Sequence, residues 1–453
     1  MLDVKNWNVV ILGLSFMLIF TAFQTTSMIE ESILKSAKNE SHPHSKFKAS
    51  GYYSLCIIYA SFSLFNWIAP PIIAFIGSKF SMMLGGLCYW LFILSLYFVS
   101  KYVQTDLSSL LYIASVVIGF GAAVIWTAQG SCLTVNSTDE TMGRNSGVFW
   151  AFLQCSLLIG SLIVYFCFKP KNGSTIISLS ERSTVLYVFI ALSAIGMLCF
   201  LLLRNVRSED TTGSNESLIV NMQESGNRIE TSSSPWESFK SSVRLLFTKP
   251  SFFLFIVYFY TGLELTFFSG VYGTSVGQKY FAFFLNKELI VFSVFIGIGE
   301  ILGGGIFGIF GKRIVAKGRD NIVLLGMLVH FATFFLILMN LPDASPNDAT
   351  HEMGYLLKPS VPIAMLCAFL LGFGDSCFNT QIYSLLGSFY SDNSASAFAI
   401  FKFSQSVAAA VGFFYSSHIG LRSQLYILCV MAFLGALSFF VVERMAKKKA
   451  GTI

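Results

Sequence analysis

The chain has 453 residues, of which 54% are hydrophobic and 12% charged, with 47 Phe and a formal net charge of +6. Soluble domains carry about 25% charged residues, so a soluble globular enzyme is excluded and a polytopic helical membrane protein is expected. The basic excess is no signature of nucleic-acid binding, because most of the Lys and Arg flank apolar segments, as membrane topology requires.

A span needs about 20 mostly apolar residues. Six such runs fall in the first part of the chain, at 7–28, 51–75, 81–100, 108–133, 145–168 and 184–203. The first is too long for a signal-peptide core and lacks a small-residue cleavage site, so it is read as a span. Residues 205–234 are rich in Ser, Thr, Asn and Glu and nearly devoid of apolar side chains, the composition of a solvated linker. The linker region extends to 250. It contains a helix start at Ser234-Pro235 with Glu237 in the first turn, then Trp236, Phe239, Val243, Leu246 and Phe247 on one face, which predicts an amphipathic surface helix near 235–247. Six more runs follow at 251–275, 288–310, 321–340, 361–387, 395–417 and 422–442, before a basic tail at 444–453.

Twelve spans place both termini on one side. A modest bias of Lys and Arg, strongest at Lys312, Arg313, Lys317, Arg319 and the C-terminal lysines, makes that side the cytoplasm. Glycosylation sequons at Asn39 and Asn172 then face outward. The sequence leaves the plasma membrane and the endolysosomal membrane open as the site of residence.

The halves can be overlaid. Gly119-Phe120-Gly121 of span four matches Gly372-Phe373-Gly374 of span ten, and Thr127 falls on Thr380. The expected fold is therefore all-α, two six-helix pseudo-repeat bundles (1–204 and 251–443) around a central cavity, the architecture of the major facilitator transporters. Trp126-Thr127-Ala128-Gln129-Gly130 and Gly143-Arg144-Asn145-Ser146-Gly147-Val148-Phe149-Trp150 resemble the UNC-93 family of that superfamily. Residues 260–274 (YTGLELTFFSGVYGT) and 372–381 (GFGDSCFNTQ) resemble one branch of it more closely. The resemblance implies a twelve-span facilitator fold without implying a substrate, and members described as regulators of potassium channels or escorts of immune receptors. The facilitator signature after span two is degraded here to Ile76-Gly77-Ser78-Lys79-Phe80.

Four charges lie inside spans: Glu264, Glu300, Asp375 and Lys402. Each costs about 2.5–3.5 kcal/mol on insertion scales, so each should pair or line a wet cavity. Asp375 and Lys402 are expected to pair with one another. Glu264 and Glu300 then lack a cationic partner, and at least one should carry a proton or hold a cation, unless both serve only to fix helix packing. These four are the candidate ion-coupling residues. Gln24, Asn66, Trp126, Gln129, Gln154, Asn379 and Gln405 are the candidate substrate-cavity residues, with interhelical packing as the competing role for each. The glycines of span eight resemble a dinucleotide loop only superficially, since no strand precedes them, and they should pack helices. Nine cysteines, all in or beside apolar runs, make neither a disulfide framework nor a zinc site. His42 and His44 are too few for a metal, and His330 should be a packed or hydrogen-bonding group. No nucleophile–base set appears, and no cofactor or metal is expected. Two functions stay open: a solute carrier with proton or cation coupling, taking a small molecule or ion from a lipid-embedded cavity, and a non-transporting regulator of a channel or receptor.

Overall fold

A computed structural model describes residues 3–40, 48–138, 140–168, 177–205, 235–273, 275–276, 287–346, 354–355, 360–416, 418–449 and 451. The linker, Asn172, His42 and His44 lie outside them. The first half holds α1 (Val4–Glu40), α2 (Gly51–Phe65), α3 (Ala69–Lys101), α4 (Ser108–Val135), α5 (Met142–Cys167) and α6 (Leu179–Cys199). The second holds α7 (Pro235–Leu246), α8 (Lys249–Thr266), α9 (Lys287–Ile309), α10 (Gly311–Lys317), α11 (Asp320–Asn340), α12 (Val361–Phe389), α13 (Ser394–Ser416) and α14 (Leu421–Lys449).

Among the described residues, eleven helices are long and apolar enough to cross a membrane, and the shorter α2 is the remaining apolar helix. Two elements depart from expectation. The helix of the first span runs on to Glu40, which puts Asn39 in its last turn. The second span is broken, because α2 stops at Phe65 and helix resumes only at Ala69. Pro70 and Pro71 cause the break: neither has an N–H to donate back, and each fits only the first turn of a new helix. Asn66 closes the end of α2 with its own side chain, donating from Nδ2 back to Phe62 O at 2.8 Å. The chain then turns at Gly77, whose φ of 76° favours glycine, so α3 contains the end of span two and all of span three.

Large apolar side chains such as Ile113, Leu328, Phe335, Tyr426 and Leu437 stay exposed on the outer faces, as lipid contact demands. The pseudo-repeat is visible in packing. In α4, Gly119 abuts Ser61 of α2 and Gly121 abuts Cys88 of α3. In α12, Gly372 abuts Ile296 of α9 and Gly374 abuts the His330 ring of α11. The same two glycines therefore seat the equivalent neighbours in each half.

The halves meet where α5 packs on α9 and where α2 and α4 pack on α13. At the end carrying the termini, glycine brings the α5 and α9 backbones together. A Cβ on Gly147 would lie 2.3 Å from Gly308 N, and one on Gly311 would lie 2.4 Å from Arg144 N. Deeper in, at Gly297, the nearest atoms of α5 are 3.4 Å or more away. The span-eight glycines are thus a packing surface. Gly147→Val should destabilise by about 1–3 kcal/mol, since backbone on the far side cannot yield. Gly305→Val, where a Cβ meets nothing within 4 Å, should be neutral. Thermal unfolding of the two purified variants checks the difference.

At the same end, Lys312 donates to Glu140 Oε2 at 2.7 Å between the halves. That bond holds the Glu140 carboxyl below the usual carboxylate range. A lowered carboxyl contributes at neutral pH and is lost as pH falls through that range. Both side chains are exposed, so water and salt screen the pair. The helix α7 packs on both α3 and α13 here, and Ser242 Oγ donates to Ser396 Oγ at 2.9 Å.

Candidate functional site

The polar core is built mainly by α8, α9, α11, α12 and α13, with aromatic side chains reaching in from α4 and α5. On α12, Asp375, Asn379 and Tyr383 recur every four residues, so they share one buried face. Asn379 Nδ2 donates to Asp375 Oδ1 at 2.7 Å. Glu300 on α9 packs on Gly372 and Ser376 of the same helix, and Glu264 on α8 stands beside His330, whose ring packs on Gly374. Asp375, Glu264 and Glu300 are 3%, 1% and 0% exposed, so three buried carboxyl groups cluster in one core. Like charges repel strongly in a low dielectric, so buried carboxyls gathered in one core titrate as a coupled set.

Glu300 carries the most directed contacts. Its Oε2 accepts the Trp150 indole N–H at 2.6 Å and the Ser376 hydroxyl at 2.9 Å. Trp150 stands on α5, so this bond joins the two halves. Glu264 Oε1 sits 3.6 Å from His330 Nε2. That nitrogen also lies 3.3 Å from Leu371 O, and Nδ1 is hydrogen-bonded to the Tyr260 hydroxyl. A neutral imidazole satisfies both contacts, Nε2–H donating to the carbonyl and Nδ1 accepting from the phenol. The ring is stacked on Phe378, the buried packed histidine expected.

The expected Asp375–Lys402 ion pair is not formed. Lys402 Nζ donates instead to Gln405 Oε1 at 2.9 Å, one turn along its own helix. It lies 4.3 Å from the centroid of the Trp126 ring and 4.6 Å from that of Phe401. Helical geometry explains the correction: Asp375 is held by Asn379 on α12, while the flexible lysine stem lets the ammonium reach the faces of aromatic rings.

The seven candidate cavity residues do not form one cluster. Trp126 meets Lys402, and Gln405 joins it while donating from Nε2 to Thr261 Oγ1 at 3.3 Å. Asn379 belongs to the carboxyl cluster. Gln129 is fully buried one turn along α4 from Trp126, and neither of its amide atoms has a partner. Gln24 accepts from Ser156 Oγ at 2.6 Å and ties α1 to α5, while Asn66 caps α2. Gln154 is buried with its Oε1 unpartnered. Gln24 and Asn66 therefore have the packing roles that competed with ligand binding. Trp150, Ser376 and His330 join the site although they were not on the candidate list. A tryptophan in an apolar span gives no sign of its N–H partner, and no pattern in the sequence could have selected Trp150. Among the described residues, no three His, Cys, Asp or Glu side chains are arranged to hold a metal ion; Glu264, Asp375 and Glu300 share the core without converging on one point.

The profile of the family described as ion channel regulatory protein UNC-93 matches residues 42–440. The UNC93-like protein MFSD11 of Xenopus tropicalis is 46% identical over 97% of this chain and 96% of its own. UNC93-like protein 3 of Arabidopsis thaliana is 26% identical over 94% of this chain and 83% of its own. In fold, the chain resembles a bacterial homologue of the iron transporter ferroportin in its outward-facing state, with a TM-score of 0.64, 12% identity, and coverage of 99% and 100% of the two chains. The fold is that of the major facilitator transporters. An all-α membrane protein with this profile over most of its length belongs to the UNC-93 family.

Proposed function

We propose that the protein is a solute carrier of the major facilitator type, working by alternating access with proton coupling through Glu264, Asp375 and Glu300. One observation carries this reading: the carboxyl cluster is bonded across the contact between the halves, Trp150 of α5 to Glu300 of α9. A carboxylate accepts that indole N–H more strongly than a protonated acid does. Proton occupancy of the cluster therefore biases the separation of the halves, which is the link that a coupled carrier needs. A structural role alone would give no reason to gather three buried carboxyls at this junction, where each is costly. We place the termini in the cytoplasm, following the basic residues of that end.

A second reading, a non-transporting regulator of an ion channel, follows from the family's description. The degraded signature after span two favours it. Lys79 there donates to the carbonyls of Leu201 and Leu203, both at 2.9 Å, and so caps the end of the sixth span.

The test is solute-dependent proton uptake by purified protein in liposomes under an imposed pH gradient. Wild type should take up protons with at least one solute of a broad panel, and Glu264→Gln, Glu300→Gln and Asp375→Asn should abolish that uptake while remaining folded. Uptake unaffected by all three changes would refute the coupling. Absence of flux with every solute would favour the regulator.

A further inference from the structure

Lys402 is only 4% exposed and its ammonium reaches no carboxylate at ion-pair distance among the described residues. An ammonium has three N–H donors, and the structure commits one, to Gln405. The remaining surroundings are the rings of Trp126, Phe401 and Tyr383, which attract a cation without neutralising it. The Tyr383 hydroxyl has no partner, and neither has either amide atom of Gln129, one turn along α4 from Trp126, all in buried side chains. Buried polar groups are nearly always satisfied, so several together mark a place for a polar guest.

We propose that Lys402, Trp126 and Gln129 form a subsite for a small organic anion, with the guest's carboxylate on Lys402 Nζ and its apolar body on the Trp126 ring. This rests on the carrier reading above and gives it a substrate class. A guest carboxylate supplies the counterion that the described residues withhold from Lys402, whereas a cationic guest adds a second positive charge and a neutral one supplies none. Asp375 stands two turns before Tyr383 on α12, and the Tyr383 ring centroid lies 5.6 Å from Lys402 Nζ. Glu264 and Glu300 share the core with Asp375, and His330 lies beside Glu264. The facing residues of the first half, Trp126 and Gln129, are neutral. A proton taken up by the carboxyl cluster as the anion binds leaves the net charge of the core unchanged, so that anion and proton enter together.

The probes are three ligands of one shape: benzoate, benzyl alcohol and benzylammonium. Each is titrated against the purified full-length chain by isothermal calorimetry at neutral and mildly acidic pH. Benzoate should bind saturably, more tightly at the lower pH, and the other two should not. Lys402→Gln should weaken benzoate by about tenfold or more, while Lys402→Arg should hold it within a few-fold. Asp375→Asn should remove the pH dependence. Equal binding of the three, preference for benzylammonium, no binding of benzoate, or full benzoate affinity in folded Lys402→Gln would each overturn the assignment. The ranking in the unmodified protein decides even where a variant fails to fold. Benzoate binding without proton-coupled flux would sink the carrier reading and keep the anion site. Coupled flux of other solutes without benzoate binding would do the reverse.

Discussion

Replacing Glu443 by Ala should lower stability by about 3–5 kcal/mol, the largest single effect expected outside the polar core. Glu443 lies near the end of α14 and is 1% exposed. Its Oε2 holds Arg319 Nη1 at 3.1 Å, and its Oε1 accepts the Arg319 backbone N–H at 3.1 Å. The same guanidinium donates to Ser384 Oγ at 2.9 Å and Ser388 Oγ at 2.7 Å on α12. Arg319 precedes α11, so one side chain ties three helices of the second half together. Removing the carboxylate strands a buried cation. Replacing both partners, Arg319→Met with Glu443→Leu, removes the charge problem along with the bond and should recover most of the loss. Thermal unfolding of purified single and double variants measures this. A single variant within about 1 kcal/mol of wild type would show the pair to be hydrated and weak.

Trp150→Phe should shift the balance between joined and separated halves by roughly a few-fold to tenfold. A hydrogen bond contributes about 0.5–1.5 kcal/mol net, and the indole to Glu300 is one such bond across the junction. Phe keeps the aromatic packing against Tyr383, whose ring centroid is 5.7 Å from that of Trp150, and deletes only the donor. Glu300→Gln should act in the same direction by replacing the carboxyl that accepts the indole N–H. In the double variant the effects should fall well short of additive, because both changes break one bond.

Much of this architecture was legible in advance, for physical reasons. Every span is a long apolar run, and the lipid leaves helices as the simplest solution for such runs. The buried face of Asp375, Asn379 and Tyr383 follows from a spacing of four, and the packing role of Gly304 and Gly308 follows from the same spacing. The partners of the charged groups were another matter. Periodicity places a residue on a face, but the neighbour across the interface is set by helix rotation and depth, which no single helix encodes. Hence Asp375 and Lys402, opposite in sign and close in sequence, look like a pair and are not one. Glu300 finds Trp150, and Arg319, which reads as a loop charge, is buried on Glu443. The break at 66–68 is signalled in the sequence by Pro70 and Pro71 just after it, within the strongly apolar run 51–75.

The coupling account stands or falls on whether proton occupancy of the core changes the spacing of the halves. The direct measurement is the distance between spin labels at Thr138 of the first half and Asp392 of the second, two exposed positions at the end bearing the termini. It is taken by pulsed electron resonance at neutral and mildly acidic pH. Acidification should add a second, longer distance, and Trp150→Phe and Glu300→Gln should each show that distance already at neutral pH. A single distribution, unmoved by pH and identical in both variants, would contradict the account and leave the carboxyl cluster as a packing feature of a protein that does not alternate.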